Sequence, residues 1–129
     1  MAEALPSAVT HRPALVVRGG LAVPGVRAIA RETPVAIVVN GGGHAVMMAT
    51  PADLEDFAIG FALTQGLVEH PGEIEGLEVV AAGQGVECRL WIPADRAARL
   101  GERRRAMAGP TGCGVCGVES IAEALPEPR

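Results

Sequence analysis

The sequence predicts an α+β domain, a small sheet of hairpins packed on one central helix. Three observations carry that expectation. The run Val35-Ala36-Ile37-Val38-Val39 is rich in β-branched residues and is followed by Asn40-Gly41-Gly42-Gly43, which together read as a strand entering a tight hairpin. Leu54, Phe57, Ala58, Phe61 and Ala62 recur at i, i+3, i+4, i+7 and i+8, the stripe of an amphipathic helix. Gly76 to Ala82 and Val86 to Ile92 alternate as two further strands turning at Gly83-Gln84-Gly85.

Taken in order, residues 1–13 hold two prolines and no clear period, and they read as a flexible arm. Ala14 to Val17 and Ala22 to Ala30 are short and β-like, with Gly19-Gly20 and Pro24-Gly25 as turn signals. After the strand of Val35 to Val39, His44 to Ala49 supplies the returning strand, and His44 reads as an exposed turn residue. Gly41 to Gly43 do not form a phosphate loop, because such a loop opens a helix and these glycines precede a strand-like stretch. Thr50 is the expected N-cap of the central helix, with Pro51 in its first position and Asp53 near the positive end of the dipole. Gly60 inside that helix predicts a close approach to the sheet, and Gly66 supplies a left-handed C-terminal cap near Gln65. His70-Pro71-Gly72 is a loop. Cys88 alternates with Val86 and Leu90, so it reads as a small buried core residue. Pro93-Ala94-Asp95 starts a second helix running to about Met107.

Composition narrows the function classes. A chain of 129 residues supports one small domain without disulfides or metal to hold it. Its hydrophobic fraction of 49% fits a globular protein, and one Trp, two Phe and no Tyr require an aliphatic core and leave little for stacking on bases. A net charge of −4 argues against binding driven by phosphate neutralisation, so no nucleic-acid partner is expected. No apolar run reaches the length of a membrane span and no signal-peptide layout opens the chain, which predicts a cytoplasmic protein with no membrane partner.

The chemistry is concentrated at Thr111-Gly112-Cys113-Gly114-Val115-Cys116-Gly117. Glycines around the thiols remove bulk, and Val118 to Leu125 reads as a short helix whose N-terminus favours a thiolate. Arg103-Arg104-Arg105 lies just upstream; a solvated helix end is its default reading, and drawing an anionic cofactor or stabilising a thiolate is the functional one. Three chemistries compete for Cys113 and Cys116. Structural zinc needs four ligands and one CxxC gives two, so no metal site is expected. Thiol–disulfide exchange suits the motif but not its place near the end of the chain. Persulfide transfer suits an accessible, acidic thiol on a glycine-rich loop.

The segment from Arg103 to Glu119 resembles the cysteine segment of the formate dehydrogenase accessory proteins, the FdhD sulfur carriers. A second block is similar to that family in the same order: Pro34-Val35 through Val39-Asn40-Gly41, Met48-Ala49-Thr50-Pro51, Asp53 to Phe57, Gly60-Phe61 and Gln65-Gly66. The resemblance implies a sulfurtransferase. Sulfur would pass from a cysteine desulfurase, through a persulfide, to the molybdenum or tungsten bis-guanine-dinucleotide cofactor of formate dehydrogenase. It implies Cys113 as the persulfide carrier, Cys116 as its motif partner, and no permanently bound cofactor. It also implies that the cysteine loop leads into a domain resembling the cytidine deaminase fold, missing or truncated here. The expected organisation is an arm over 1–13, an α+β domain over 14–109, and over 110–129 the cysteine loop with the start of that second domain. A homodimer is compatible with this reading. The alternatives are a CxxC thiol–disulfide oxidoreductase and a non-catalytic docking fragment.

Overall fold

The computed structural model describes residues 3–104 and residue 121. The architecture is α+β, as the sequence predicts, but it contains two sheets. Strands β1 (Val9–Arg18) and β2 (Leu21–Ala30) form an antiparallel ribbon, and a four-stranded sheet has the order β4-β3-β6-β5. In the second sheet β3 (Thr33–Val39) and β4 (Gly42–Ala49) are one hairpin, and β5 (Gly76–Ala82) and β6 (Gly85–Trp91) the other. What joins the hairpins is a parallel pairing of β3 with β6, from Val35 opposite Val86 to Val39 opposite Leu90. The chain between them carries α1 (Leu54–Thr64) and a 3-10 turn at Pro71–Glu73, and α2 (Ala94–Arg104) follows β6.

The turn chemistry explains the hairpins. Asn40 and Gly41 both have positive φ, 48° and 83°, and form a two-residue loop, so β4 begins at Gly42 and not at His44. Type I′ geometry needs positive φ at both positions, and Asn-Gly supplies it at least cost. Gly19 and Gly20 turn the ribbon in the same way, with φ of 56° and 79°. Pro24-Gly25 is not a turn: both lie inside β2, Pro24 opposite Leu15 and Gly25 opposite Ala14. In a two-stranded ribbon each strand has an unpaired edge, where a proline without an N–H breaks no ladder. The strand β1 also begins inside the segment expected to be a flexible arm, since Val9 pairs with Ala30 and Pro13 with Val26.

The core lies between the four-stranded sheet and the helices. Val35, Ile37 and Val39 of β3 and Val86, Cys88 and Leu90 of β6 point to one side, where Leu54, Ala58 and Ala62 of α1 meet them and Phe57 and Phe61 pack at the margin. The apolar stripe of α1 is therefore the one the spacing predicts. Its start differs. The helix begins at Leu54, and its N-cap is Asp53 in the left-handed region at φ 50°, not Thr50. Thr50 instead accepts through its backbone carbonyl from the Ala52 N–H at 2.8 Å, a tight turn ahead of the helix. The end is a Schellman motif: Leu67 N–H donates to the Ala62 carbonyl at 2.8 Å and Gly66 N–H to the Leu63 carbonyl at 3.1 Å, with Gly66 at φ 67°. Leu67 and Val68 then drop into the core. Gly60 does not approach the sheet: it is exposed, and a Cβ placed there would meet nothing. The glycine that does mediate close approach is Gly85, where a Cβ would run into the Pro34 carbonyl of the parallel neighbour.

Candidate functional site

Two elements carry the chain into and out of the cysteine segment. The entry is α2, which seats Leu100 in the core and packs Ala97 against it. Its first turn is held from outside by Arg96, whose guanidinium contacts Glu73 at 2.8 Å and Glu69 at 3.0 Å. Glu73 also accepts from the Glu69 N–H at 2.6 Å and the His70 N–H at 3.4 Å. These backbone donors, the Glu69 N–H foremost, hold the Glu73 carboxyl below the usual carboxylate range, and Arg96 adds to the effect. The exit is Ile121, helical and half-buried, with its side chain against Gly85 at the β5–β6 turn.

Asn40 fixes how β6 passes into α2. Its backbone N–H donates to the Leu90 carbonyl at 2.8 Å. Its side-chain Nδ2 donates to the Ile92 carbonyl at 2.9 Å, and its Oδ1 accepts the Ile92 N–H at 2.8 Å. The amide thus continues the β3–β6 ladder one residue beyond the last strand pair. The Asn-Gly signal in the sequence gives the turn, but not this second use of the side chain.

Beside the exit lies a cleft of about 450 Å³ at the Thr33 end of β3, lined by Arg31, Glu32, Thr33, Met48 and Gln84 among others. Thr33 Oγ1 donates to the Gln84 carbonyl at 3.1 Å and ties the β3 start to the β5–β6 turn. Ile121 follows Cys116 by five residues and Cys113 by eight.

Of the candidate site residues, Cys113, Cys116 and Arg105 lie outside the described residues, as does the expected end of the second helix at Met107. Arg103 and Arg104 are in the last turn of α2. Cys88 is core, as expected: fully buried, its thiol 3.8 Å from the Leu54 carbonyl and pushed up to about 11 by burial. A thiol so placed is no nucleophile at neutral pH. His44 is not a plain turn residue. It is the extra residue of a β-bulge, since Ile37 faces Ala45 and Val38 faces Gly43, and its ring meets Phe61 edge-on at 5.8 Å. Among the described residues no group of three or more His, Cys, Asp or Glu converges to hold a metal, and no helix is long and apolar enough to cross a membrane.

Residues 30–129 match the FdhD/NarQ family. The chain is 51% identical over 113 residues to a protein of Bordetella petrii named sulfur carrier protein FdhD, an alignment covering 86% of this chain and 41% of the relative. It is 51% identical over 108 residues to the protein of the same name from Agrobacterium fabrum, covering 84% and 40%. The chain thus spans about two-fifths of the length of these curated relatives. Among solved structures it is similar to one from Desulfotalea psychrophila described as a formate dehydrogenase accessory protein, with TM-score 0.54 and 29% identity over 66% of this chain and 37% of that one. The match spans the hairpins, both helices and the CxxC segment, and on it the chain belongs to the FdhD/NarQ family.

Proposed function

We propose that this chain carries the sulfur-accepting segment of a sulfurtransferase serving formate dehydrogenase. Cys113 takes sulfur from a cysteine desulfurase in the cytoplasm and passes it toward the molybdenum or tungsten bis-guanine-dinucleotide cofactor. The observation that supports the reading most is the position of Cys113-Gly114-Val115-Cys116 inside residues 30–129, the part of the chain that matches the FdhD/NarQ family. The burial of Cys88 adds to it, because the third thiol of the chain is withdrawn from chemistry.

In loading, the Cys113 thiolate attacks the outer sulfur of the desulfurase persulfide. The S–S bond of the donor breaks, its cysteine leaves as thiolate, and Cys113 becomes the persulfide. In unloading, Cys116 attacks the inner sulfur of Cys113. The outer sulfur leaves at the sulfide level for the acceptor, the two thiols become a disulfide, and a dithiol reductant resets them. Arg103 to Arg105 draw the anionic cofactor, and α2, held by Arg96 and Leu100, fixes where that basic run begins. The expected division into residues 14–109 and a second, cytidine deaminase-like unit opening at 110–129 is part of this proposal.

Mass spectrometry after incubation with a cysteine desulfurase and cysteine tests it. The expected product is the chain with one added sulfur, localised to Cys113 and absent in Cys113→Ala. An adduct that survives Cys113→Ala, or no adduct on the parent, refutes the carrier assignment. If loaded Cys116→Ala, freed of all external thiol, releases its outer sulfur as sulfide at the parental rate, the unloading role of Cys116 is wrong.

A further inference from the structure

We propose that the outer side of α1, centred on Gly60, is a docking surface for a basic amphipathic helix of a partner protein. The inference goes beyond the sulfur-transfer reading and stands independently of it.

Gly60 sits in the middle of α1, between Leu54 and Thr64, where glycine weakens a helix relative to alanine. The structural reason for such a glycine is another segment passing close to the backbone. Among the described residues there is none: Gly60 is exposed, and a Cβ there would meet nothing within 4 Å. Its neighbours are not those of a plain solvent face. At about 3.6 residues per turn, Asp56, Gly60 and Thr64 form a row at i, i+4 and i+8, opposite the buried Ala58 and Ala62. Leu63 borders the row on one side and is 37% exposed. Phe57 and Phe61, the two phenylalanines of the chain, border it on the other and are half-buried, with the His44 ring edge-on to Phe61. Bare backbone at Gly60 therefore forms the floor of a shallow notch with apolar walls. A row of this kind is the groove into which the side-chain ridge of another helix packs.

Charge selects the occupant. Asp53, Glu55 and Asp56 put three carboxylates at the start of α1, and the helix has no basic residue. From Pro51 to Cys88 the chain contains no Lys or Arg at all. Such a surface repels anionic head groups and nucleic acid. A second copy offers no complementary helix. Its α1 brings the same carboxylates, and its basic helix α2 commits Ala97 and Leu100 to its own core and Arg96 to Glu69 and Glu73. A basic amphipathic helix of another protein satisfies both halves of the surface. Its Lys or Arg residues lie over the first turn of α1, and an apolar side chain further along enters the notch between Leu63 and Phe57. The glycine lets the two axes approach more closely than the roughly 8–10 Å of ordinary helix pairs.

Titration of the isotope-labelled full chain with two model peptides, each about four helical turns long, tests the proposal by NMR. One peptide carries Leu and Lys with helical periodicity; the other has Glu in place of every Lys. The Leu–Lys peptide is expected to bind saturably below about 1 mM, with the largest amide shifts at Asp56, Gly60, Phe61 and Leu63. The Leu–Glu peptide is expected to bind at least about tenfold more weakly. Gly60→Gln fills the notch with an uncharged, good helix former. It is expected to melt at or above the parental temperature and still to bind the Leu–Lys peptide at least about tenfold more weakly than the parent does. A Leu–Lys peptide that does not bind below that concentration overturns the proposal. So do equal binding of the two peptides, a shift pattern centred away from α1, and a Gly60→Gln chain that binds as the parent does.

Discussion

Asn40→Ala removes one side chain and with it the link between the β3–β4 turn and the strand exit at Ile92. Two hydrogen bonds to the Ile92 backbone are lost, at 2.9 and 2.8 Å, both part-buried. A net hydrogen bond is worth about 1 kcal/mol. Alanine must also hold φ of 48°, a left-handed conformation that costs a residue with a Cβ about 1 kcal/mol and that asparagine tolerates better. The total destabilisation expected is about 3 kcal/mol, a large part of the roughly 5–15 kcal/mol that holds a domain together. Urea unfolding followed by the fluorescence of Trp91, the single tryptophan and the neighbour of Ile92, is the assay. With a slope of about 1–3 kcal/mol per molar urea, the midpoint should fall by about 1–3 M. Asn40→Gly separates the two contributions: it loses the same bonds without the backbone strain and should be about 1 kcal/mol more stable than Asn40→Ala. An Asn40→Ala midpoint indistinguishable from the parent would refute the amide clamp. A glycine variant less stable than the alanine one would refute the strain argument.

Three further outcomes follow from the same structure. Gly85→Ala drives a Cβ into the Pro34 carbonyl across the parallel pair, and should cost about 2 kcal/mol or more in the same urea assay, whereas Gly60→Ala, with open space around it, should stabilise by about 1 kcal/mol. In a variant with both Cys113 and Cys116 replaced by Ala, Cys88 should resist alkylation at pH 8 in the native state and react once urea unfolds the chain. Its folded thiol stays protonated to about 11 against 9.0 for the free group, so the folded state holds the proton longer and stability should decline as pH rises from about 9 toward 11, a decline that Cys88→Ala abolishes. Glu73 titrates in the opposite sense. Its carboxyl is held below the ordinary value, so the stability it confers is present above the unfolded pKa near 4.5 and is lost as pH falls through the lower folded value; hydrogen exchange in the first turn of α2 should accelerate there, and should be fast at all pH in Glu73→Gln.

Where the sequence was readable, a local rule sufficed. The stripe of α1, the Gly66 cap, the Asn40-Gly41 turn and the burial of Cys88 each follow from periodicity or from the φ that a turn demands, and each is found. The misreadings come from positions where a residue type has more than one use. Thr50-Pro51 carries the composition of a helix start, but a tight turn at Thr50 delays the helix and Asp53 takes the cap. Pro24-Gly25 carries the composition of a turn, yet a ribbon with free edges tolerates it in mid-strand, and the same leniency allows Pro13 in β1. Gly60 reads as a helix residue and Gly85 as a turn residue, and only the parallel pairing of β3 with β6 assigns the close approach to Gly85.

That parallel pairing also places the two described attachment points that flank the cysteine segment in sequence, and no local pattern encodes it. It puts the exit of β6 beside the Asn40 turn at one end of the sheet, and the β5–β6 turn beside Thr33 at the other. The chain leaves the first end through α2 and is back at the second by Ile121, whose side chain meets Gly85. In sequence the cysteine pair lies between these two tethers. Perturbing either tether, at Asn40 or at Gly85, should slow loading of Cys113 without touching a thiol. If both variants, at temperatures where they remain folded, load sulfur at the parental rate, the frame has no part in presenting Cys113 and the reactive segment acts alone.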